Sequence, residues 1–287
     1  MTDRHRACPV CGGRAIRAMY RVNGYLLAEC ADCTARFVTE VLSRDYLTAF
    51  YQGLESHFAY EPDNRDCVEY YYRRLKREIE RYAPARGAIL DVGCSAGYFL
   101  DLMDGWEKHG IELSAEHGDK ARQKIGPGIF IGDLEDFPAE PDRYDVITLQ
   151  DVLDHFRDPY ESLKKCRAML KPGGLLVIKV HDISCLYARL SGPRFYALVP
   201  PSHLFYFNER SLRTVLARAG LRCERAEHLG QVLQLRTVFY RLAQGRERGV
   251  FYRLFRWLNN SRLGKIRIYK NLHDIITVYA RKEAAVS

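Results

Sequence analysis

A chain of 287 residues, 47% hydrophobic and 28% charged, has ordinary globular composition and room for one large domain plus small additions, which excludes wholesale disorder. No apolar run reaches the roughly 18 residues of a membrane-spanning helix, so an integral membrane protein is excluded, and the polar start Met1–Arg6 points to a cytoplasmic protein without a secretory signal. Forty-four basic against 36 acidic residues give a net charge of +8, which suits nucleic acid, an anionic membrane or an acidic ligand without choosing among them.

The first element is set by cysteine. Cys8, Cys11, Cys30 and Cys33 form two C-x-x-C pairs. In a reducing compartment this spacing favours a metal over disulfides, because each tight turn aims two thiolates at one ion and two such turns complete a tetrahedron. Ala18–Val22 and Tyr25–Glu29 read as a hairpin around Asn23-Gly24, a strong turn signal. Residues 1–42 are therefore expected to be a zinc ribbon, its Zn2+ replacing a core too small to form. The single cysteines, Cys67, Cys94, Cys166, Cys185 and Cys223, read as small buried apolar residues.

Residues 43–84 read as a helical connector. Val68, Tyr71, Tyr72, Leu75, Ile79 and Tyr82 recur at helical spacing, either to pack on the next domain or to form a lid over a pocket. From Ala88 the pattern changes. Short apolar runs at Ala88–Val92, Gly110–Leu113, Ile129–Ile131, Tyr144–Leu149 and Leu175–Val180 alternate with helical stretches at Tyr98–Asp104, Ala115–Ile125 and Pro159–Leu170. Such alternation builds a parallel sheet with helices on both faces, here over residues 85–287.

The first of these strands runs into Asp91-Val92-Gly93-Cys94-Ser95-Ala96-Gly97-Tyr98, a small-residue loop before a helix start, where open α/β sheets bind ligands. Glu112-Leu113 ends the second strand, placing an acid where it can accept both hydroxyls of a ribose, and Asp133-Leu134 follows the third. Gln150-Asp151-Val152-Leu153-Asp154-His155 follows the fourth, and Leu170-Lys171-Pro172-Gly173-Gly174 turns into the fifth. In this order the pieces resemble class I S-adenosylmethionine-dependent methyltransferases, with Ser95 where the family's loop has its middle glycine. The resemblance implies a seven-stranded Rossmann-like sheet with an antiparallel last strand. It also implies a cofactor site of Asp91, Gly93, Cys94, Ser95, Gly97, Tyr98, Glu112, Leu113, Asp133, Leu134, Gln150 and Asp151. With the ribbon and the segment Pro200–Phe207, the chain looks like a bacterial branch that serves surface-glycan and natural-product pathways. One departure is Thr34, where a glycine usually follows the fourth cysteine.

Methyl transfer to a hydroxyl needs the acceptor in line with the methyl and a base for its proton. His155 and His203 are the candidate bases, each set against the alternative of holding a loop. His181, Tyr196 and Tyr206 are candidate acceptor contacts. No Asn-Pro-Pro-Tyr or Pro-Cys follows the fourth strand, which points away from nucleic-acid bases toward a small-molecule or saccharide acceptor. RNA methylation and a non-catalytic, cofactor-binding partner protein are the competing readings.

The basic excess is local. Leu235–Lys270 holds ten basic residues against one acid, and the rest of the chain nets −1. It reads as an insertion between the last two strands, Arg222–His228 and Ile275–Ala280. Phe251, Leu254, Phe255 and Leu258 lie on one helical face, with Arg253 and Arg256 opposite. Three uses compete: a cover for the domain, a peripheral helix on the inner face of the membrane that suits a lipid-linked acceptor, or a surface for RNA. The ribbon's weak charge and few aromatic residues make nucleic acid the less favoured partner.

Overall fold

The computed structural model describes residues 3–53, 65–243 and 249–283. Arg246 and Arg248 of the basic stretch lie outside the described residues. The expected hairpin forms from β1 (Ile16–Val22) and β2 (Tyr25–Cys30), with Val22 opposite Tyr25. Asn23 and Gly24 turn it with φ of 50° and 85°, the conformation that twists with its strands. β3 (Arg36–Val38) extends this sheet, and α1 (Arg44–Gly53) and α2 (Arg65–Tyr82) form the connector.

The large domain then runs β4 (Ala88–Val92), α3 (Tyr98–Asp101), β5 (Glu107–Glu112), α4 (Ala115–Ile125), β6 (Ile129–Ile131), β7 (Tyr144–Gln150), α5 (Pro159–Met169) and β8 (Leu170–His181). It continues with α6 (Leu186–Ser191), β9 (Phe205–Tyr206), α7 (Glu209–Arg218) and β10 (Leu221–Glu227), then β11 (Gln231–Gln234), α8 (Leu235–Ala243), α9 (Val250–Asn259), β12 (Arg267–Lys270) and β13 (Ile275–Lys282). Seven strands form one sheet in the order β10-β13-β8-β7-β4-β5-β6, with β13 antiparallel to both its neighbours. This is the seven-stranded Rossmann-like sheet with an antiparallel last strand that the resemblance implies.

Strand alternation divides the core. Leu90, Val92, Ile147, Ile178 and Val180 face a layer that includes Leu163 and Met169 of α5 and Leu212 and Leu216 of α7. Ile89, Val146, Leu175 and Val177 face the other, with Tyr71, Leu75 and Ile79 of α2. Within the connector α2 packs on the sheet, as one of the two readings expects, and Leu47, Thr48 and Tyr51 of α1 line the main cleft. Helix starts are capped as their residues prescribe. Asp158 accepts from the N–H groups of Tyr160 and Glu161 ahead of Pro159, and Asn208 and Ser211 form a reciprocal capping box.

Two features differ from the sequence reading. The ribbon sheet does not stand apart: β3 pairs with β9 of the large domain, Arg36 opposite Tyr206. The insertion is a two-stranded ribbon, β11 against β12, carrying two helices, not a single amphipathic helix. Among the described residues its apolar face is covered only in part, with Phe239 and Tyr240 of α8 against Phe251 and Phe255. In α9 Leu258 is buried, but Phe251, Leu254, Val250 and Trp257 are 44%, 37%, 63% and 57% exposed.

Candidate functional site

A cleft of about 600 Å³ opens along the carboxyl ends of the parallel strands. At one end lies the β4–α3 loop. Gly93, Ser95 and Gly97 all adopt left-handed backbone, φ 75°, 48° and 73°, so the loop keeps its shape with serine in the middle position. A Cβ on Gly93 would sit 2.4 Å from Val152, which is why glycine is needed there. The Glu112 carboxylate braces the loop, accepting from Ser95 N–H at 2.8 Å and Ser114 N–H at 2.9 Å. Asp133 accepts from Glu135 N–H. Gly93, Ser95, Glu112, Leu113, Asp133, Leu134, Gln150 and Asp151 line the cleft.

Four residues expected at the cofactor do not line the cleft. Asp91 is buried beneath the loop, where its Oδ1 accepts from Thr148 Oγ1 at 2.5 Å and from Gln150 Nε2 at 3.4 Å. Burial pushes its carboxyl up to about 7 against those two donors. Cys94 packs in the core, Gly97 caps α3 against Ala121 and Ile125, and Tyr98 lies under Lys124, 3.8 Å from the ring centre.

The other end gathers imidazoles. His155 and His203 stack edge to face with ring centres 4.7 Å apart, and His181 is 5.5 Å from His203. Between them lies the Asp154 carboxylate, 3.8 Å from His155 Nε2 and 3.6 Å from His203 Nδ1. His155 Nδ1 is 3.0 Å from the Tyr51 hydroxyl, which itself donates to the Ser202 carbonyl. That chain makes His155 a tie between α1 and the loop before β9, the alternative to a catalytic role. His203 Nδ1 donates to the Ala197 carbonyl, leaving Nε2 as its uncommitted nitrogen. Burial holds the imidazolium of His181 down to about 4, so the ring is neutral at neutral pH.

Tyr196 lines the cleft under His181, and its hydroxyl donates to Asp274. Tyr206 does not line it: the residue is buried on β9 with its hydroxyl on the His203 carbonyl, so it supports the loop instead of meeting an acceptor. Asp182 likewise fixes its own loop, through Ser184 and His228. Three participants were missed from sequence. Lys179 pairs with Asp151, and its position as a charge inside an apolar strand was the available signal. Asp154 stood unremarked beside His155. Tyr51 reaches the site from α1, and nothing local marks it.

The four cysteine sulfurs lie within 4.8 Å of one another, Cys8 opposite Cys33 at 3.7 Å and Cys11 opposite Cys30 at 3.5 Å. Three of the four side chains are buried, and this all-sulfur set fits tetrahedral zinc. Thr34 takes the glycine-like φ of 63°, held by Asn208, whose amide donates to its carbonyl and hydroxyl.

A family model described as a methyltransferase domain matches residues 67–226, over half of the chain. The chain belongs to this methyltransferase family. Among curated relatives, a ubiquinone biosynthesis O-methyltransferase of Coxiella burnetii is 31% identical over 116 residues, covering 36% of this chain and 47% of the relative. An N-terminal Xaa-Pro-Lys N-methyltransferase of Danio rerio is 39% identical over 77 residues, 24% of this chain and 34% of that protein. The chain thus spans about half, or less, of the length of these relatives. Of solved structures, the methyltransferase domain is similar to 1,6-didemethyltoxoflavin-N1-methyltransferase of Burkholderia thailandensis, solved with S-adenosylhomocysteine. That likeness has a TM-score of 0.53 at 12% identity, covers 93% of this chain and 99% of that one, and shows the fold.

Proposed function

We propose that the protein moves a methyl group from S-adenosylmethionine to a hydroxyl of a small-molecule or saccharide acceptor in a biosynthetic pathway. The observation that carries the reading is the histidine–aspartate cluster at one end of the cleft, facing the glycine loop at the other. Glu112 and Asp133 would hold the ribose and the adenine amino group. Gln150 Oε1 and Asp151 Oδ1 are buried without partners among the described residues and suit the cofactor's ammonium. In the transfer the hydroxyl proton passes to an imidazole, the oxygen pair bonds the methyl carbon, and the C–S pair returns to sulfur as a neutral thioether. The sulfonium supplies the activation; the protein aligns, excludes water and takes the proton. The O-methyltransferases among the relatives support this acceptor atom over carbon. Zinc in the ribbon is structural in this reading, fastening β3 beneath the His203 loop.

We further propose that the insertion rests on an anionic bilayer and receives a lipid-linked acceptor. Its exposed aliphatic residues, Val250, Leu254, Leu263 and Ile266, suit acyl chains better than stacked bases, and Arg253 and Arg256 suit lipid phosphates. Gln231 of β11, which leads into the insertion, lines the cleft.

Calorimetry with S-adenosylmethionine tests the core of the proposal: absence of binding overturns it. Labelled cofactor incubated with host extract, split into aqueous, lipid-linked and RNA fractions, identifies the acceptor class, and label in RNA would overturn the assignment. Flotation with phosphatidylglycerol vesicles tests the bilayer, with binding lost on neutralising Arg253 and Arg256.

A further inference from the structure

We propose that Asp154, His181 and His203 bind a divalent transition-metal ion at the floor of the acceptor end of the cleft. This deepens the proposed function, on which it rests only for the role of the ion, not for its binding.

The three residues come from separate places: the loop after β7, the end of β8 and the loop before β9. Each offers one ligand atom, and the three atoms lie within 4.8 Å of one another. Asp154 is 2% exposed, yet its Oδ1 has no hydrogen-bond partner among the described residues. His181 Nδ1 is buried and likewise without a partner. A buried carboxylate in this condition is costly, and a cation or a proton donor is what relieves it. Lys179, which lines the cleft, is committed to Asp151. His155 stands 3.8 Å away and holds Tyr51 through its other nitrogen.

The surroundings are those of a prepared site. His203 donates Nδ1–H to the Ala197 carbonyl, the outer contact that fixes ring orientation in metal-ligating histidines. The Asp154 carbonyl accepts from Leu204 and Phe205 N–H, so the carboxylate and the His203 loop are held together whether or not an ion is bound. Val180, beside His181 on β8, is paired with Ile276 of β13. Two imidazoles and one carboxylate with positions left open suit Zn2+, Fe2+ or Co2+; they are too few oxygens for Ca2+ or Mg2+. This donor set differs from the four thiolates of the ribbon, which allows the two sites to be told apart. An ion here would neutralise Asp154 and take the acceptor oxygen at an open position, favouring its deprotonated form.

The rival account is that hydroxyls of the acceptor alone satisfy Asp154 and His181, and no ion binds. The test uses the full chain, stripped of metal and reloaded with Zn2+. The expected content is about two ions per chain, falling to about one in Asp154→Asn and in His181→Ala, with S-adenosylmethionine affinity changed less than about twofold. Loading with Co2+ should give the intense thiolate charge-transfer absorption of the ribbon plus a second, weaker set of bands that Asp154→Asn and His181→Ala lose. Saturation of the wild type at one Zn2+, with a cobalt spectrum of thiolate ligation alone, overturns the proposal. Should a variant fail to fold, the wild-type stoichiometry and cobalt spectrum decide alone. One ion with methyl transfer intact rejects the metal site and keeps the function; two ions without cofactor binding do the reverse.

Discussion

The two ends of the cleft are built in opposite ways. The cofactor end is local: one strand–loop–helix unit supplies Gly93 and Ser95, and the next two strand ends supply Glu112 and Asp133. The acceptor end is assembled from α1, the loop after β7, the end of β8 and the loop before β9, and the last of these hangs from the N-terminal ribbon. Local backbone conformation therefore governs the first end, and long-range docking the second. Perturbing the ribbon should damage one end and spare the other.

Metal removal gives the largest expected effect. Cys30→Ser should unfold the ribbon and lower methyl transfer more than about 100-fold, while calorimetry shows cofactor affinity within a few-fold of wild type. Equal loss of both would show that the ends are not separable. The mirror experiment is Gly93→Ala. It places a Cβ against Val152 at a left-handed φ of 75°, and cofactor affinity should fall about tenfold or more, with zinc content unchanged. Glu112→Gln keeps the shape but loses the charge, and its expected cost is about 1.5 kcal/mol in cofactor binding, read by the same titration. Tyr51→Phe frees His155 from α1 and should lower kcat only a few-fold, leaving cofactor affinity in place.

The smallest effect is on stability against pH. Asp91 holds its proton to about 7 in the folded chain, against 3.8 ordinarily. Between those values the folded state binds more protons than the unfolded, so this group favours folding below about pH 4, and that contribution is lost as pH rises toward 7. In Asp91→Asn the fall in Tm from pH 5 to pH 8 should be shallower than in wild type.

This difference in construction also explains what could be read from the sequence. The place of the glycine loop, Glu112 and Asp133 at the cleft was legible because each sits at its own strand end. Asp91 sits in the same motif but points the other way, into the sheet, which strand alternation places and motif spacing does not. At the acceptor end the histidines were visible as residue types, but their partners were not. His155 meets Tyr51, and His203 takes its place from Ala197, Leu204 and the ribbon. Tyr206 was a candidate acceptor contact set against plain aromatic packing, and pairing of β9 with β3 leaves it packed. The insertion's periodicity gave the helix of Phe251–Leu258 but neither α8 nor the exposure of that helix, since nothing in a period says whether a partner face exists.

The pairing of β3 with β9 has a consequence for synthesis. The strand that Phe205 and Tyr206 complete is made well before they are, and its outer edge stays open until the five strands β4 to β8 of the catalytic sheet have been translated. A nascent ribbon can take up zinc early, yet it carries a bare strand edge, the kind of surface on which other chains add. The order of synthesis thus leaves a sticky edge open until the loop that bears His203 arrives, so that closing the edge and seating His203 in the acceptor pocket are one event.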